Sequence, residues 1–511
     1  MKNTFFLLLL IVIFSIFFNA CSKDKQKTAQ KPNIVFIMAD DLGYAELGCY
    51  GQDKIKTPAI DALAENGMKF TQFYSGSPVC APSRCVLLTG KHPGHAYIRG
   101  NDEWRERGEV WNYAKAAKDP NLEGQRPIPV STVTIGKILQ KAGYKTACVG
   151  KWGLGAPLSE GAPNKQGFDF FFGYNCQRQA HNYFPPHLWK NEQKVQLDNE
   201  IIAPGTKLDK GADPLDIKSY AKYTQKEYAP DLMIKETLQF IDRNKDKPFF
   251  LYFATPIPHV PLQAPKEYVQ KYVKLFGDEQ PYLGKKGYFP TRYPHAAYAA
   301  MISYLDDQVK QITNKLKALG IYDNTIIFFT SDNGPSYAGG SDSQFFDSAK
   351  PFKSSYGWGK GFTHEGGIRV PMIVSWPGKV KPDSKSDFIG AFWDVLPTLC
   401  DIAGAAKPDS IDGISFLPTI KGDKKQNEHN YLYWEFPSYT GQQAVRMGHW
   451  KGIRDSIFFG NRGIKLYNLN DDIQETHNIA TQHPETVKKI EQIMTESHVP
   501  SKLFPLFNKK K

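Results

Sequence analysis

The stretch NIVFIMADD, Asn33 to Asp41, carries six consecutive apolar residues and stops at two carboxylates. A short unbroken run of β-branched and aromatic residues reads as a strand buried on both faces, the mark of a parallel sheet covered by helices. A helix is expected next, with Thr57 as cap, Pro58 in its first turn, Ile60, Leu63 and Ala64 as the buried stripe and Gly67 as its stop. The same alternation returns downstream. Ser131 to Gly143 places Ile135, Ile138 and Leu139 on one helical face, before a strand from Lys145 to Val149 that leads into Lys151. FFLYFA, Phe249 to Ala254, runs on to His259, and a long helical pattern from Tyr298 to Leu316 precedes TIIFFT, Thr325 to Thr330, which delivers Asp332 and Asn333. These elements predict an α/β domain with a large, mostly parallel central sheet. Ligands bind beyond the carboxyl ends of such strands, so Asp40, Asp41, Lys151, His259, Asp332 and Asn333 are expected to converge at one edge. Singly each is an ordinary turn or cap residue. Their recurrence after strand upon strand points to a site.

With 511 residues, 41% of them apolar, the chain has room for one large domain and a smaller one. Lys2 precedes an apolar run from Phe5 to Phe18 that ends at Asn19, Ala20 and Cys21. That run falls short of the ~20 apolar residues that span a bilayer and reads as a secretory signal. A small residue followed by cysteine resembles a bacterial lipoprotein cleavage box. Residues 1–21 are therefore expected as a lipoprotein signal peptide with Cys21 lipidated, and residues 22–31 as a flexible tether. The protein would then be an exported lipoprotein of the periplasm or outer-membrane surface, held to the membrane through its lipid. Seven irregularly spaced cysteines do not suggest a disulfide framework. The formal charge of +12 fits an anionic substrate, scattered solvated lysines account for it equally well, and nucleic acid is not expected as a partner.

In SPVCAPSRCVLLTG, Ser77 to Gly90, Cys80 stands in a proline-rich turn just before a helical run, so N–H groups and the positive end of a helix dipole should face it. A thiol there is either activated or inert and buried. Cys80, Pro82, Ser83 and Arg84 match the C-x-P-S-R signature of type I sulfatases, and Leu87 to Gly90, LLTG, also resembles that family. The resemblance extends to the DD after the first strand, GKWGLG at Gly150 to Gly155, PHVPL around His259, SDNG at Ser331 to Gly334 and GKGFTHEGGIRVP at Gly359 to Pro371. It implies an alkaline-phosphatase-like fold, a Cys80 oxidised to formylglycine whose hydrated aldehyde is the nucleophile, and a maturation enzyme that performs the conversion.

Asp40, Asp41, Asp332 and Asn333 form an all-oxygen donor set suited to a hard divalent cation, which in this family is calcium, with modified Cys80 in the same shell. Arg84 is expected to hold that cluster in place, and Lys151 and Lys360 to bind the sulfate oxygens. His259 is the expected general acid for the departing oxygen. Many relatives carry histidine two residues after the motif lysine, as in GKWHLG, and it is thought to assist the last proton transfer; this chain has Gly153. His181, His92 and His95 are the substitutes on offer, each with a structural role left open. Arg99, Asn101 and Arg178 are expected to contact a substrate ring or a second anionic group. The segments around them look like those of bacterial sulfatases acting on sulfated galactose or N-acetylgalactosamine, which makes a sulfated glycan the expected substrate. The catalytic domain is expected over 32–402. From 403 to 505 the chain resembles the family's C-terminal subdomain, a small antiparallel sheet followed by a helix near Pro484 to Ser497. A phosphatase or phosphodiesterase of the same superfold generally uses serine or threonine beside two zinc ions, and a non-catalytic glycan-binding lipoprotein would have lost the nucleophile or metal set. Neither pattern is present.

Overall fold

The computed structural model describes residues 31–285 and 287–507; the signal segment, Cys21 and tether residues 22–30 lie outside the described residues. The main sheet has ten strands, in chain order β1 (Asn33–Ala39), β2 (Met68–Phe70), β3 (Lys145–Lys151), β4 (Phe170–Tyr174), β5 (His187–Lys190), β6 (Gln193–Gln196), β7 (Phe249–Ala254), β8 (Thr325–Ser331), β9 (Met372–Ser375) and β10 (Ser384–Ser386). Their spatial order is β10-β2-β9-β8-β1-β7-β3-β4-β5-β6. The five strands β8-β1-β7-β3-β4 are parallel, whereas β9, β5 and β6 run antiparallel to their neighbours. The mostly parallel sheet expected from the apolar runs is thus the frame of the molecule.

Strand β1 shows why both faces are covered. Val35 lies beside Leu251 of β7 and Ile327 of β8. Because alternate side chains point to opposite faces, Ile34, Phe36 and Met38 enter one apolar cluster and Val35, Ile37 and Ala39 the other. The first cluster is closed by helices α2 (Cys80–Thr89), α3 (Ile135–Lys141) and α6 (Val395–Ala403), the second by α1 (Pro58–Glu65), α4 (Ala229–Arg243) and α5 (Pro294–Ala318).

Local details differ from expectation where distant groups intervene. Thr57 does not cap α1 through its side chain; its Oγ1 accepts from Gly48 N–H at 2.9 Å. The N-terminal N–H groups of Ala59 and Ile60 instead donate to the Asp306 carboxylate of α5, at 3.1 and 2.8 Å. The helix expected from Ser131 begins only at Ile135, where the Thr134 side chain caps Lys137 N–H. Gly67 does follow α1, because a Cβ there would stand 2.4 Å from the Val374 carbonyl oxygen.

The C-terminal antiparallel sheet has strands β11 (Leu432–Phe436), β12 (Gln442–Met447), β13 (Trp450–Arg454) and β14 (Lys465–Asn468), and helix α7 (Pro484–Glu496) packs on it through Ile490, Ile493 and Met494. Its other face is not independent of the main domain. Leu432, Trp434, Ala444 and Ile453 belong to the first apolar cluster. A fully buried charge network adds to this join: Lys451 Nζ lies 2.7 Å from Glu365 Oε1 and 3.5 Å from Glu475 Oε1, while Arg369 reaches Glu365 Oε2 at 3.0 Å.

Candidate active site

Each parallel strand delivers its polar terminus to the same edge. Asp40 N–H donates to the Ile257 carbonyl and Asp332 N–H to that of Ala39, so the ends of β1, β7 and β8 are knit together. The chain then turns sharply at Asp41, whose φ of 66° lies in the left-handed region, an unfavourable conformation for a residue with a Cβ. Two hydrogen bonds hold this turn. Asp41 N–H donates to Asp332 Oδ1 at 3.1 Å and Leu42 N–H to Ser331 Oγ at 2.9 Å. Lys151 is the last residue of β3, two residues further along the strand than its apolar run suggests.

Cys80 is the first residue of α2, and its side chain closes the ring of strand ends. Its Sγ lies 3.4 Å from Asp40 Oδ1, 4.0 Å from Asp41 Oδ1, 3.4 Å from Lys151 Nζ and 3.6 Å from Lys360 Nζ. Arg84, one turn along α2, donates from Nε and Nη2 to Asp332 Oδ2 at 3.1 and 2.8 Å, and its Nη2 is 3.3 Å from Asp40 Oδ2. Lys151 Nζ approaches Asp40 Oδ2 at 2.6 Å, and Lys360 Nζ approaches both Asp41 oxygens at 2.6 Å. Three carboxylates therefore face three permanent cations in a buried space.

The electrostatic consequences are unequal. Burial raises the Asp40 carboxyl, but Lys151, His259, Arg84 and Lys360 together hold it below the ordinary range. Burial pushes Asp41 up against the pull of Lys360, and burial beside Asp40 lifts Asp332 to about 6. Burial and the Asp40 charge drive the Cys80 thiol far above its usual value. An unmodified thiol here stays protonated at neutral pH and is a poor nucleophile. His259 Nδ1–H donates to the Val260 carbonyl at 2.6 Å, which leaves Nε2 as the free nitrogen, 3.6 Å from Asp41 Oδ2. Burial, Lys360 and Lys151 hold this imidazole neutral, and burial beside His259 does the same to His181, whose ring stacks on it at 4.9 Å and 5°.

Asn333 Nδ2 donates to Asp41 Oδ1 at 2.8 Å, while its Oδ1 is buried without a hydrogen-bond partner in the protein. The structure thus brings Asp40, Asp41, Cys80, Arg84, Lys151, His259, Asp332, Asn333 and Lys360 together, with His181 alongside. The remaining sequence candidates have other partners. Arg99, expected at the substrate, closes a 2.6 Å ion pair with buried Glu435 and donates to the Ala96 carbonyl. Asn101 Oδ1 accepts from Ala81 N–H at the start of the nucleophile helix, so its amide supports Cys80 from the outside. Arg178 donates to the Val110 carbonyl and lies over the Trp111 ring. His92 and His95 stack on each other beside Asp412 in a cluster of their own. Gly153 has φ +83°, and a Cβ there would lie 2.8 Å from Gln177 Nε2, itself buried without a partner. Gln177 therefore fills the space beside residue 153, which sequence reading missed because the two meet only through the pairing of β3 with β4.

A cleft of about 610 Å³ is lined by Lys360, Tyr288, Tyr337, Tyr356, Phe362 and Tyr439. None of these tyrosines carries a sequence signal, since they come from loops far apart in the chain.

Carboxylates and fixed cations gathered around a helix-start cysteine at the carboxyl edge of a parallel sheet suit the binding and cleavage of an anionic ester. Comparison with known proteins narrows the class. The model of the family Sulfatase matches residues 32–405, and N-sulphoglucosamine sulphohydrolase, C-terminal, matches 355–499. The chain is 30% identical to the N-acetylgalactosamine-6-O-sulfatase of Bacteroides thetaiotaomicron, covering 92% of this chain and 94% of the relative. It is 31% identical to the human N-acetylgalactosamine-6-sulfatase over 86% of this chain and 78% of that one. The crystal structure of Ps i-CgsB, also solved in complex with k-i-k-neocarrahexaose, superposes with a TM-score of 0.71 at 28% identity over 92% of this chain and 93% of that one. The chain belongs to the sulfatase family, and its reaction is the hydrolysis of sulfuric esters.

Proposed function

We propose that the protein removes sulfate from sulfated glycans, galactose or N-acetylgalactosamine sulfate above all, with a nucleophile made by oxidising Cys80 to formylglycine beside a calcium ion. The position of Cys80 carries this reading. Its Sγ stands at the meeting point of Asp40, Lys151 and Lys360, in surroundings that suppress thiolate chemistry. A converted side chain suits this position better than a thiol does.

The donor set fits a hard cation. Asp40, Asp41, Asp332 and Asn333 offer oxygen alone, Asp41 and Asp332 are lifted by burial and by the charge of Asp40, and the Asn333 amide oxygen has no donor. Calcium would hold these four residues together and supply Lewis-acid charge to the sulfuryl oxygens and to the hydrated aldehyde of converted Cys80. The chain's own groups do the rest. Arg84 fixes Asp332 and Asp40 and does not titrate. Lys151 and Lys360, now on carboxylates, supply the charge that binds a sulfuryl group. His259 rests neutral with Nε2 free, so its role as acid to the leaving oxygen requires protonation. An incoming anionic ester favours that, since it opposes the two lysines that, after burial, hold the ring neutral.

The N-acetylgalactosamine sulfate named for two similar enzymes, and the neocarrahexaose bound to a third similar protein, support the glycan reading. The leader sequence supports export as a lipoprotein anchored through Cys21 to the periplasm or outer-membrane surface, with a formylglycine-generating enzyme as maturation partner. Mass spectrometry of the tryptic peptide bearing Cys80, from protein made in its own host, tests the nucleophile: the aldehyde mass is expected, and an unmodified thiol in active protein refutes it. Turnover of 6-sulfated galactose and N-acetylgalactosamine oligosaccharides tests the substrate.

A further inference from the structure

The cleft beside the catalytic cluster is larger than a sulfate group requires, and its wall is aromatic. Tyr337 meets Tyr356 edge to face at 5.6 Å, Tyr356 meets Phe362 at 5.5 Å, and Phe362 meets Tyr439 at 6.3 Å. Lys360 lines the same cleft and contacts Asp41 and Cys80, so the wall begins where the reaction centre ends. Across it Tyr288 packs its ring 5.9 Å from that of His259.

Two features separate this wall from ordinary core packing. Tyr356 is 74% exposed and Tyr439 63%, against 1% for the core residue Trp152. Large rings left in water at the mouth of a site mark a binding surface. The second feature is backbone conformation. Tyr439 and Tyr288 have φ of +53° and +64°, a cost kept only where the surroundings impose it. Gly361 makes the Tyr439 placement possible, because a Cβ there would lie 2.1 Å from the Tyr439 ring.

We infer that this wall is a saccharide platform: a pyranose ring next to the sulfated unit lays its C–H face on Tyr356 and Tyr439, while the phenol hydroxyls reach the sugar hydroxyls. The inference rests on the glycan reading above and adds that the enzyme recognises at least two linked sugars. Flat rings with polar edges suit a sugar, which has apolar faces and a hydroxyl rim. Lys360 at the inner end keeps the sulfated unit directed to the reaction centre.

The test compares kcat/KM on a sulfated tetrasaccharide, the matching sulfated monosaccharide and a small aryl sulfate. The native enzyme is expected to prefer the tetrasaccharide to the monosaccharide by at least tenfold. Tyr356→Ala and Tyr439→Ala are each expected to lower the ratio of tetrasaccharide to aryl sulfate rates by about three- to tenfold, equivalent to about 0.7–1.4 kcal/mol. Tyr356→Phe should retain most of the ratio. Thermal melting checks that each variant is folded. A ratio unchanged in both alanine variants, or a native enzyme indifferent to chain length, overturns the platform while leaving the glycan reading standing. Native turnover of aryl sulfate with no turnover of any sulfated saccharide overturns both.

Discussion

Cys80 is 2% exposed, and its neighbours are charged side chains fixed by hydrogen bonds, so its removal should alter chemistry more than folding. Cys80→Ala is expected to abolish sulfate release while the melting temperature and circular dichroism stay those of the native protein; residual turnover above background contradicts its role. Asp332→Asn keeps the shape but removes one charge from the donor set. Added calcium should raise the melting temperature of the native protein and leave that of the variant unmoved. Gly153 makes a different point, since its φ of +83° strains any side chain even before the contact with Gln177 is considered. Gly153→Ala is expected to cost about 1–2 kcal/mol or more in stability, measured by denaturant titration. The strand-end residues were legible because each follows an apolar run. The ion pair of Arg99 was not, because its partner Glu435 lies 336 positions away and no local pattern announces it.

Strands and helices were legible wherever periodicity alone decides them, as in FFLYFA, which forms β7 with the expected bounds. Ends of elements were less so, because their caps come from elsewhere: α1 takes its N-terminal acceptor from Asp306 of α5, not from Thr57. The start of α5 offers a measurable case. His295 and Ala296 donate their N–H groups to the Glu279 carboxylate, and the His295 ring lies 3.1 Å from Glu279 and 3.2 Å from Asp342, stacked on Phe345. Burial opposes charge on this ring, but hydrogen bonds to Asp342 and Glu279 prevail and raise it to about 9. A folded-state value above the ordinary 6.5 means that the contribution is fully present below pH 6.5 and is lost as pH rises through 9. His295→Asn should therefore lower the melting temperature clearly at pH 6 and little at pH 10; an equal loss at both values contradicts the charged pair.

At the scale of the whole molecule, the mostly parallel sheet and the small C-terminal sheet both follow from sequence, whereas the way they join does not. Glu365 and Arg369 sit in the HEGGIRVP motif, yet they serve the join, with Lys451 placed between Glu365 and Glu475. Burial lifts Glu475 to about 8, and Lys451 is a cation that touches both it and Glu365. Lys451→Met is expected to cost about 3–5 kcal/mol by stranding buried charge, read as a lower melting temperature without a new contact at the reaction centre. The cleft stayed illegible because the residues lining it meet only after folding. Strand β1, finally, divides its side chains between the two apolar clusters and ends in two of the proposed calcium ligands. A wedge gripped from both sides cannot be released by either side alone. Calorimetry should accordingly give one endotherm, and a chelator should slide that whole endotherm to lower temperature without opening a shoulder.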